Sequence, residues 1–312
     1  MKNPDFPKVL VLLCTSNSLK YLEKQLETIF GQKNVNVTIM CSDDNSTDGT
    51  YEYLSQIQSI DERLIVLPRL QKFGSAGKNF YNLILNADYE NHDFISFSDH
   101  DDIWKDNKLI SAIDILNSGN YQAYSSSFDA FWEDGKIKYF SKVGKKVKFD
   151  YLFASPGPGC TFVTTSRSML EFKNYFTKHQ IGEDIFHHDW LVYAWFKCNF
   201  PDSWFIDKNS YIFYRQHYGN ETGVNSGIKA FKKRLKLIIN GWYFSEIKKV
   251  LLFLNDSHQF SEVNKLFSYG KFYILLNVKL LRRDFKGQCV LFILILFNII
   301  SIAEIKNLLS DK

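Results

Sequence analysis

The chain has 312 residues, of which 45% are apolar and 16% aromatic, enough for one large α/β domain with an appendage or for two modest domains. Its net charge of +4 is uneven, since residues 228–312 hold 15 Lys and Arg against 6 Asp and Glu, whereas residues 1–227 hold 23 against 28. This basic, apolar tail on an acidic body argues against nucleic-acid binding and favours contact with an anionic membrane.

The first hundred residues alternate two kinds of pattern. Apolar runs at 9–14, 37–41, 64–67 and 94–97 predict buried strands. Helical spacing of apolar residues predicts helices at 19–30, around 51–54 and at 75–87. Strands that alternate with helices imply right-handed βαβ units, and therefore a parallel sheet with helices on both faces.

The pattern changes after residue 120. We expect a strand at 123–125, a hairpin of 128–132 with 136–140, a loop at 155–159 and a helix at 190–197. From about residue 228 the chain is basic and helical, and it contains a 15-residue uncharged run at 289–303. That run is shorter than the roughly 20 residues needed to span a bilayer. We predict a catalytic domain at 1–227 and a C-terminal helical region at 228–312.

The cysteines and the N-terminal sequence bear on the compartment. Five cysteines are scattered without Cys-x-x-Cys spacing, which is typical of reduced thiols. The apolar stretch at 9–14 has strand length rather than the length and flanks of a signal peptide. We therefore expect a cytoplasmic protein.

An acidic cluster follows the fourth predicted strand. The sequence 98–104 reads Ser-Asp-His-Asp-Asp-Ile-Trp and places Asp99, Asp101 and Asp102 within four positions. Carboxylates this close repel one another unless a cation or a proton lies among them, and Mg²⁺ and Mn²⁺ prefer oxygen ligands. The cluster predicts a metal-bound phosphate at the carboxyl end of a strand. The alternative is a solvated loop with an N-cap.

A second acidic turn, Asp-Asp-Asn-Ser-Thr-Asp at 43–48, follows the second predicted strand. Asp43 and Asp44 could accept hydrogen bonds from the N–H of a pyrimidine ring or from ribose hydroxyls. The alternative is that these two residues form a turn while Asp48 caps the next helix.

Three motifs together resemble family 2 glycosyltransferases of the GT-A fold, especially the rhamnosyltransferase-like branch. They are the short turn at 15–17 after the first strand, the acidic turn at 43–48 and the cluster at 98–104, in matching order over about the first 110 residues. The resemblance implies an α/β GT-A fold with a mostly parallel, Rossmann-like sheet. It also implies inverting transfer of a sugar, rhamnose in this branch, from a nucleotide-diphosphate donor to a growing glycan or lipid-linked acceptor.

The resemblance further implies roles for individual residues. A divalent Mn²⁺ or Mg²⁺ ion would be held by Asp99, Asp101 and His217, the last in the segment Tyr-Arg-Gln-His at 214–217. The family usually has Arg where this chain has Lys78, and the chain departs from the pattern after His217, which leaves the role of Asn220 open. The residues expected to bind the nucleotide sugar are Thr15, Asn17, Asp43, Asp44, Lys78, Asp99 and Arg215.

The segment His-His-Asp-Trp at 187–190 resembles the second acidic motif of the family, in which the aspartate is the catalytic base. Inversion needs a carboxylate on the face opposite the leaving diphosphate, where it takes the proton of the acceptor hydroxyl. Asp189 is the candidate, and an N-cap for the following helix is the alternative.

Two other classes of protein remain open at this stage. A sugar nucleotidyltransferase would carry a glycine-rich basic loop after the first strand, where this chain has Thr-Ser-Asn-Ser. A non-catalytic binding protein on the same fold would not need the carboxylates that this chain retains. The tail predicts peripheral contact with the cytoplasmic face of an anionic inner membrane, with a packed helical subdomain or a homodimer contact as alternatives.

Overall fold

A computed structural model describes residues 5–217 and 235–310. The residue Asn220 and the predicted domain boundary at 227 lie outside these ranges. The strands are Lys8–Thr15 (β1), Asn36–Asp43 (β2), Leu64–Val66 (β3), Phe94–Ser98 (β4), Ile103–Trp104 (β5), Ala123–Trp132 (β6), Ile137–Phe140 (β7), Val163–Thr165 (β8) and Trp204–Gln216 (β9). The helices are Leu19–Phe30 (α1), Thr50–Ile60 (α2), Ala76–Asn86 (α3), Lys108–Ser118 (α4), Ser166–Lys178 (α5), His188–Asn199 (α6), Trp242–Phe253 (α7), Phe260–Ser268 (α8), Gly270–Leu276 (α9), Phe285–Leu296 (α10) and Ile302–Ser310 (α11).

Within the described residues the strands form one sheet in the order β3-β2-β1-β4-β8-β6-β9-β5, and β7 pairs with β6. The first four strands, β3, β2, β1 and β4, are parallel, as the alternation of strands and helices predicts. Beyond β4 the sheet is mixed, because β8 runs antiparallel to both β4 and β6 while β6 and β9 are parallel. The predicted α/β class is confirmed, and the parallel part is the half that carries the first three motifs.

The sequence of β1 explains why helices cover both faces of the sheet. Leu10 and Leu12 pack in one buried cluster, whereas Val9, Val11 and Leu13 pack in another. Alternate side chains of a strand point to opposite faces, so a continuous apolar run is stable only where both faces are covered. Helices α3, α5 and α6 cover the face of Leu10, and α1, α2 and α4 cover the face of Val9.

The predicted hairpin is present between β6 and β7. Phe128 pairs with Phe140, and Gly135 in the connecting turn has φ of +83°, a conformation that glycine adopts without steric cost. The predicted separate strand at 123–125 is instead the start of the ten-residue strand β6, whose register against β9 shifts near Ser126 and Ser127. Sequence alone does not reveal such an irregularity, which lets a strand continue past an interruption of its pairing.

The C-terminal helices pack on the same face of the sheet as α3 and α6. Ile247 of α7, Val263 of α8, Leu291 of α10 and Ile305 of α11 belong to the buried cluster that contains Leu10. The uncharged run at 289–303 is divided between α10 and α11, and Asn298 between them has φ of +58°. No helix within the described residues is long and apolar enough to cross a bilayer.

Candidate active site

The parallel strands bring the sequence motifs to one edge of the sheet. Thr15 at the end of β1 lies opposite Asp43 at the end of β2, and Leu13 lies opposite Ser98 at the end of β4. The turn at 15–17, the acidic turn and the acidic cluster therefore begin side by side at the carboxyl ends of adjacent strands. Open α/β sheets bind ligands at this edge.

Asp43 is buried and organises the first of these turns. Its Oδ1 accepts a hydrogen bond of 2.9 Å from Thr15 Oγ1 and another from the hydroxyl of Ser46. Its Oδ2 accepts the backbone N–H of Ser46 at 3.0 Å and lies 3.7 Å from the Arg69 guanidinium. The carboxylate thus ties β1 to the acidic turn.

Asn17 connects the same two segments from the other side. Its backbone N–H donates to Ser46 Oγ at 2.7 Å, and its side-chain Oδ1 accepts the backbone N–H of Thr47 at 2.9 Å. Asn17 has φ of +47°, in the left-handed region that asparagine tolerates better than most residues. The geometry makes Asn17 a wall of the crevice between β1 and β2.

Asp48 accepts hydrogen bonds at the start of two helices, although the N-cap position of α2 belongs to Gly49 rather than to Asp48. Its Oδ1 accepts hydrogen bonds from the N–H and the hydroxyl of Thr50, and its Oδ2 accepts the N–H of Leu19. A carboxylate that accepts orphan N–H groups near a helix start stabilises that helix. These hydrogen bonds outweigh the effect of burial and lower the pKa of Asp48.

Asp44 holds a distant loop against the crevice. Its carboxylate accepts the backbone N–H groups of Phe73 and Gly74, the latter at 3.0 Å. Gly74 has φ of +74°, and Ser75 caps α3 by accepting the N–H of Lys78. The Lys78 side chain is exposed in the first turn of α3. A cation at a helix N-terminus beside a ligand crevice suits a diphosphate.

The acidic cluster divides into two groups of contacts. Ligand atoms of Asp99, Asp102 and Cys160 lie within 4.8 Å of one another. Asp101 is buried, and its Oδ2 lies 2.8 Å from His217 Nε2. The predicted metal ligands Asp101 and His217 are therefore in contact, whereas Asp99 lies with Asp102 and the thiol.

The two groups differ in their electrostatics. Burial, together with the charges of Asp101 and Asp99, raises the pKa of Asp102 well above its usual range. Burial opposes the ionisation of Asp101, but the hydrogen bond with His217 and the charges of His100 and His217 together outweigh it and lower the pKa of Asp101. Burial, with the charges of Asp102 and Asp99, raises the pKa of the Cys160 thiol. The carboxylates repel one another, and a divalent cation between them would relieve that repulsion. Their oxygens are hard ligands, which suit Mg²⁺ or Mn²⁺ better than the protonated thiol of Cys160 does.

Arg215 braces the acidic loop. Its Nε donates to the backbone carbonyl of Asp101 at 2.7 Å, and its backbone N–H donates to Asp102 Oδ1 at 3.1 Å. Its guanidinium lies 4.7 Å from the centre of the Tyr21 ring, which also stacks on His217. The end of β9 thus holds Asp101 through the side chain of Arg215 and Asp102 through its backbone N–H.

Asp189 lies in the first turn of α6. Its Oδ1 accepts the backbone N–H of Trp190 at 2.7 Å. Its Oδ2 lies 3.1 Å from the hydroxyl of Ser155, whose single proton also has the carbonyl oxygen of Gly157 as an acceptor at 2.5 Å. The N-cap position belongs to His187, so the N-cap alternative for Asp189 is wrong, although its carboxylate does contact an N–H of the first turn. The side chain is half-buried, so solvent and ligands can reach it.

The neighbouring His188 is a packing residue. Its ring stacks on Phe80, with ring centres 3.9 Å apart, and also on Phe97. Burial lowers the pKa of His188 to about 4, so the ring is neutral at physiological pH. A Cβ at Gly159 would lie 2.5 Å from His188 Nε2, so only glycine fits at 159. This packing fixes the start of α6 and with it Asp189.

A two-residue segment connects Asp189 to the acidic cluster. A Cβ at Gly159 would lie 3.4 Å from the Cβ of Asp189. The Sγ of Cys160, the next residue, lies within 4.8 Å of carboxylate oxygens of Asp99 and Asp102. Segment 159–160 therefore contacts the candidate base through Gly159 and the candidate metal site through Cys160.

Sequence reasoning missed Lys108, which lies beneath the cluster. This residue begins α4, is 2% exposed, and has its ammonium 3.2 Å from Ser96 Oγ and over the Trp104 ring. Burial lowers the pKa of Lys108 to about 7, although the nearby charge of Asp102 opposes that shift. A lysine at a helix start is usually solvated, so only the tertiary structure identifies it. Cys160 and Ser155 were also missed, because only the tertiary structure shows their contacts with the carboxylates of the site.

Comparison with known proteins agrees with this geometry. The model of glycosyl transferase family 2 matches residues 10–176. The chain is 38% identical over 290 residues to the dTDP-rhamnosyl transferase RfbG of Shigella flexneri, which covers 92% of this chain and 100% of that protein. The chain belongs to family 2 of the glycosyltransferases. It is a glycosyltransferase, and the nucleotidyltransferase and non-catalytic alternatives are set aside.

Two further similarities are more distant. UDP-Glc:alpha-D-GlcNAc-diphosphoundecaprenol beta-1,3-glucosyltransferase WfgD of Escherichia coli is 25% identical over 162 residues, 52% of this chain and 61% of that protein. The crystal structure of S. aureus TarS residues 1–349 with UDP superposes with a TM-score of 0.55 at 15% identity, over 97% of this chain and 86% of that one. The second similarity supports the fold alone.

Proposed function

We propose that this glycosyltransferase moves rhamnose from dTDP-rhamnose to a lipid-linked glycan acceptor, with inversion at the sugar carbon. The observation that supports the mechanism is that segment 159–160 contacts both Asp189 and the acidic cluster. The printed name of the S. flexneri relative, which matches over its whole length, supports the donor. The diphosphoundecaprenol acceptor in the printed name of the E. coli relative supports the lipid-linked acceptor.

The donor would lie in the crevice at the carboxyl ends of β1 and β2. Thr15 and Asn17 form one wall, and the backbone that Asp43 and Asp44 hold in place forms the other. Both carboxylates already accept internal hydrogen bonds, so their role is to shape the pocket for the base and ribose. Lys78, at the N-terminus of α3, would contact the diphosphate together with Arg215, and Asp99 would act on the donor through the metal ion.

The acidic cluster fits a divalent cation, Mn²⁺ or Mg²⁺. Burial, with the charges of Asp101 and Asp99, raises the pKa of Asp102, and a cation among these carboxylates would offset their repulsion. Asp99 and Asp101 would hold the ion, and His217 would orient Asp101 or complete the ligand set. When bound, such an ion supplies Lewis-acid stabilisation of the charge on the departing diphosphate.

Asp189 would act as the general base. Its Oδ2 accepts one hydrogen bond from Ser155, which leaves a lone pair for the proton of an acceptor hydroxyl. Its Oδ1 accepts the N–H of Trp190, which holds the carboxylate in the first turn of α6.

The donor assignment is tested with the purified full chain and Mn²⁺. We expect dTDP-rhamnose to raise the melting temperature and to be hydrolysed slowly without acceptor, whereas UDP-glucose, UDP-GlcNAc and GDP-mannose have smaller effects. Omitting Mn²⁺ and adding a chelator provides the control. Faster turnover of any other donor would contradict the assignment of rhamnose while leaving the family unaffected.

The described part of the C-terminal region carries an exposed apolar surface formed by α9, α10 and their flanks. Lys271 joins the two helices by donating to Leu296 O and Asn298 Oδ1. The segment 269–297 contains five basic residues and one acidic residue, Asp284. The C-terminal apolar surface consists of Tyr269, Phe272, Tyr273, Leu276, Phe285, Val290, Phe292, Ile293, Leu296 and Phe297.

We propose that this C-terminal apolar surface rests on the anionic cytoplasmic face of the inner membrane, where a lipid-linked acceptor would be found. Apolar side chains beside basic ones favour the interface of an anionic bilayer through burial and charge together. A homodimer contact on the same surface is the other outcome that the test below distinguishes.

Substituting Phe272, Phe285 and Phe297 with serine should weaken binding to phosphatidylglycerol vesicles by about 100-fold or more, since burying a Phe contributes about 2 kcal/mol. Co-sedimentation measures the effect, and phosphatidylcholine vesicles test the charge contribution. The matched control is serine at Ile60 and Leu70, which are 79% and 89% exposed elsewhere on the molecule. Unchanged sedimentation of the triple variant, or its conversion from dimer to monomer in ultracentrifugation, would contradict the membrane proposal.

A further inference from the structure

Two arginines of the C-terminal region contact the loop that lies beside the candidate base. Arg282 and Arg283 immediately precede α10. Arg282 Nη1 donates to the carbonyl oxygen of Phe153 at 2.7 Å, and Arg283 Nη2 donates to the carbonyl oxygen of Ser155 at 2.7 Å. Tyr243 of α7 also donates to the carbonyl of Phe153. The loop at 153–155 is therefore fixed by the C-terminal region.

Arg283 is also one half of a buried ion pair. Its Nε lies 3.0 Å from Asp150 Oδ2, and the two side chains are 14% and 2% exposed. A Cβ at Gly144 would lie 2.9 Å from the Cβ of Arg283, so the backbone of 144 closes over the arginine. The burial of the pair and the close backbone of residue 144 hold the Arg283 side chain in one position. Removing either partner of such a buried pair is strongly destabilising.

Two paths of direct contact lead from Arg283 to the helix that carries Asp189. In the first, Arg283 holds the backbone of Ser155, whose hydroxyl oxygen lies 3.1 Å from Asp189 Oδ2 and 2.5 Å from the carbonyl oxygen of Gly157, so that its single proton is shared between these two acceptors. In the second, Asp150 accepts a hydrogen bond of 2.8 Å from the hydroxyl of Tyr193. Tyr193 lies one helical turn after Asp189 in α6, so the two paths fix the same turn.

We propose that Arg283 is a positioning residue for the transfer reaction, which makes the C-terminal region part of the acceptor side of the active site. It sets the Ser155 hydroxyl against the carboxylate of Asp189 and contacts neither donor nor metal. The inference rests on the proposed role of Asp189 as the base. Displacement of a reacting group by about 1 Å can lower a rate by about 100-fold, so a residue that acts only on position can have a large effect.

The test compares Arg283→Lys, Ser155→Ala and the double variant in the full-length chain. Lysine keeps a positive charge beside Asp150 but lacks the planar group that contacts Asp150 and the Ser155 carbonyl at once. We expect each single variant to lower kcat for transfer by about 10-fold, with the donor KM changed by less than about two-fold. Both substitutions act through the Ser155 hydroxyl. The kcat of the double variant should therefore lie within about two-fold of the kcat of the slower single variant.

Arg167→Lys is the matched control, because the Arg167 side chain is 90% exposed in α5 and lies 3.6 Å from Glu171. It should keep kcat within about two-fold. Normal kcat in Arg283→Lys, a loss confined to the donor KM, or losses that multiply in the double variant would overturn the proposal. If Arg283→Lys fails to fold, Ser155→Ala decides alone, since it leaves the ion pair intact, and unchanged kcat there overturns the proposal.

The failure of this inference is distinguishable from failure of the proposed function. If Asp189→Asn retains transfer, Asp189 is not the base and the inference fails with it. If Asp189→Asn is inactive while Arg283→Lys and Ser155→Ala are normal, the base stands and the positioning role alone is wrong.

Discussion

Replacing Asp189 with asparagine is expected to lower the rate of sugar transfer by about 1,000-fold, within the range that loss of a general base produces. The amide has the same shape and can still accept hydrogen bonds from Ser155 and from the N–H of Trp190 through its oxygen. It cannot take the proton of an acceptor hydroxyl. Donor and Mn²⁺ should bind as in the unmodified protein, because neither is assigned to Asp189.

The measurement is single-turnover transfer to acceptor, with donor affinity from calorimetry on the same samples. Asp184→Asn makes the same chemical change at an exposed carboxylate five residues earlier, and its transfer rate should stay within about two-fold. Retained transfer in Asp189→Asn would remove this residue as the base. Loss of donor binding together with transfer would instead place Asp189 in the donor pocket.

The fold was predictable in those segments where a local pattern of apolar residues distinguishes one kind of strand or helix from another. The run at 9–14 is apolar at every position because β1 is covered on both faces, and this pattern already indicates a central parallel strand. The carboxyl ends of such strands share one edge, so the motifs at 15–17, 43–48 and 98–104 had to meet. The mixed half of the sheet was less predictable, since the three-residue strand β8 has too little sequence to show a pattern.

The contacts that complete the site depend on pairs of residues far apart in the chain. Asp44 holds the N–H groups of residues 73 and 74, about thirty positions later, through backbone atoms that carry no sequence signal. Arg283 lies 128 residues after its partner Ser155. The sequence identified Arg283 as one charge in a basic tail, and charge alone does not distinguish a solvated arginine from one in a buried pair. Burial, which only tertiary structure defines, decides the difference.

The composition of the C-terminal run at 289–303 indicates whether it can span a bilayer, and the structure shows which of its residues pack on the core. Its length predicted that it would not span a bilayer, and its division into α10 and α11 agrees. Leu291, Leu294 and Ile295 pack in the core, whereas Phe292 and Ile293 are exposed. The sequence offers packing on the core and contact with a membrane as alternatives. Opposite faces of α10 can serve both.

The second large effect is expected for Asp101→Asn. We expect loss of at least about 100-fold in Mn²⁺-dependent turnover, because an amide is neutral and a weaker ligand for a hard cation than a carboxylate is. The readout besides activity is the rise in melting temperature that Mn²⁺ and donor together produce, which should disappear. Asp106→Asn, at an exposed carboxylate between β5 and α4 that pairs with Lys33, is the matched control and should keep that rise.

Comparison with His217→Asn distinguishes two roles of Asp101: fixing the position of His217, or acting as the principal metal ligand. Asp101 Oδ2 lies 2.8 Å from His217 Nε2, while Arg215 holds the backbone carbonyl of Asp101. If Asp101 acts mainly by fixing His217, the two variants should show equal losses of the Mn²⁺-dependent thermal shift, and the double variant should add nothing. If Asp101 is the principal ligand, His217→Asn should retain part of the shift because Arg215 still fixes the loop. A full thermal shift in Asp101→Asn would remove this carboxylate from the metal site and leave Asp99 and Asp102, which face each other beside Cys160, as the remaining candidates.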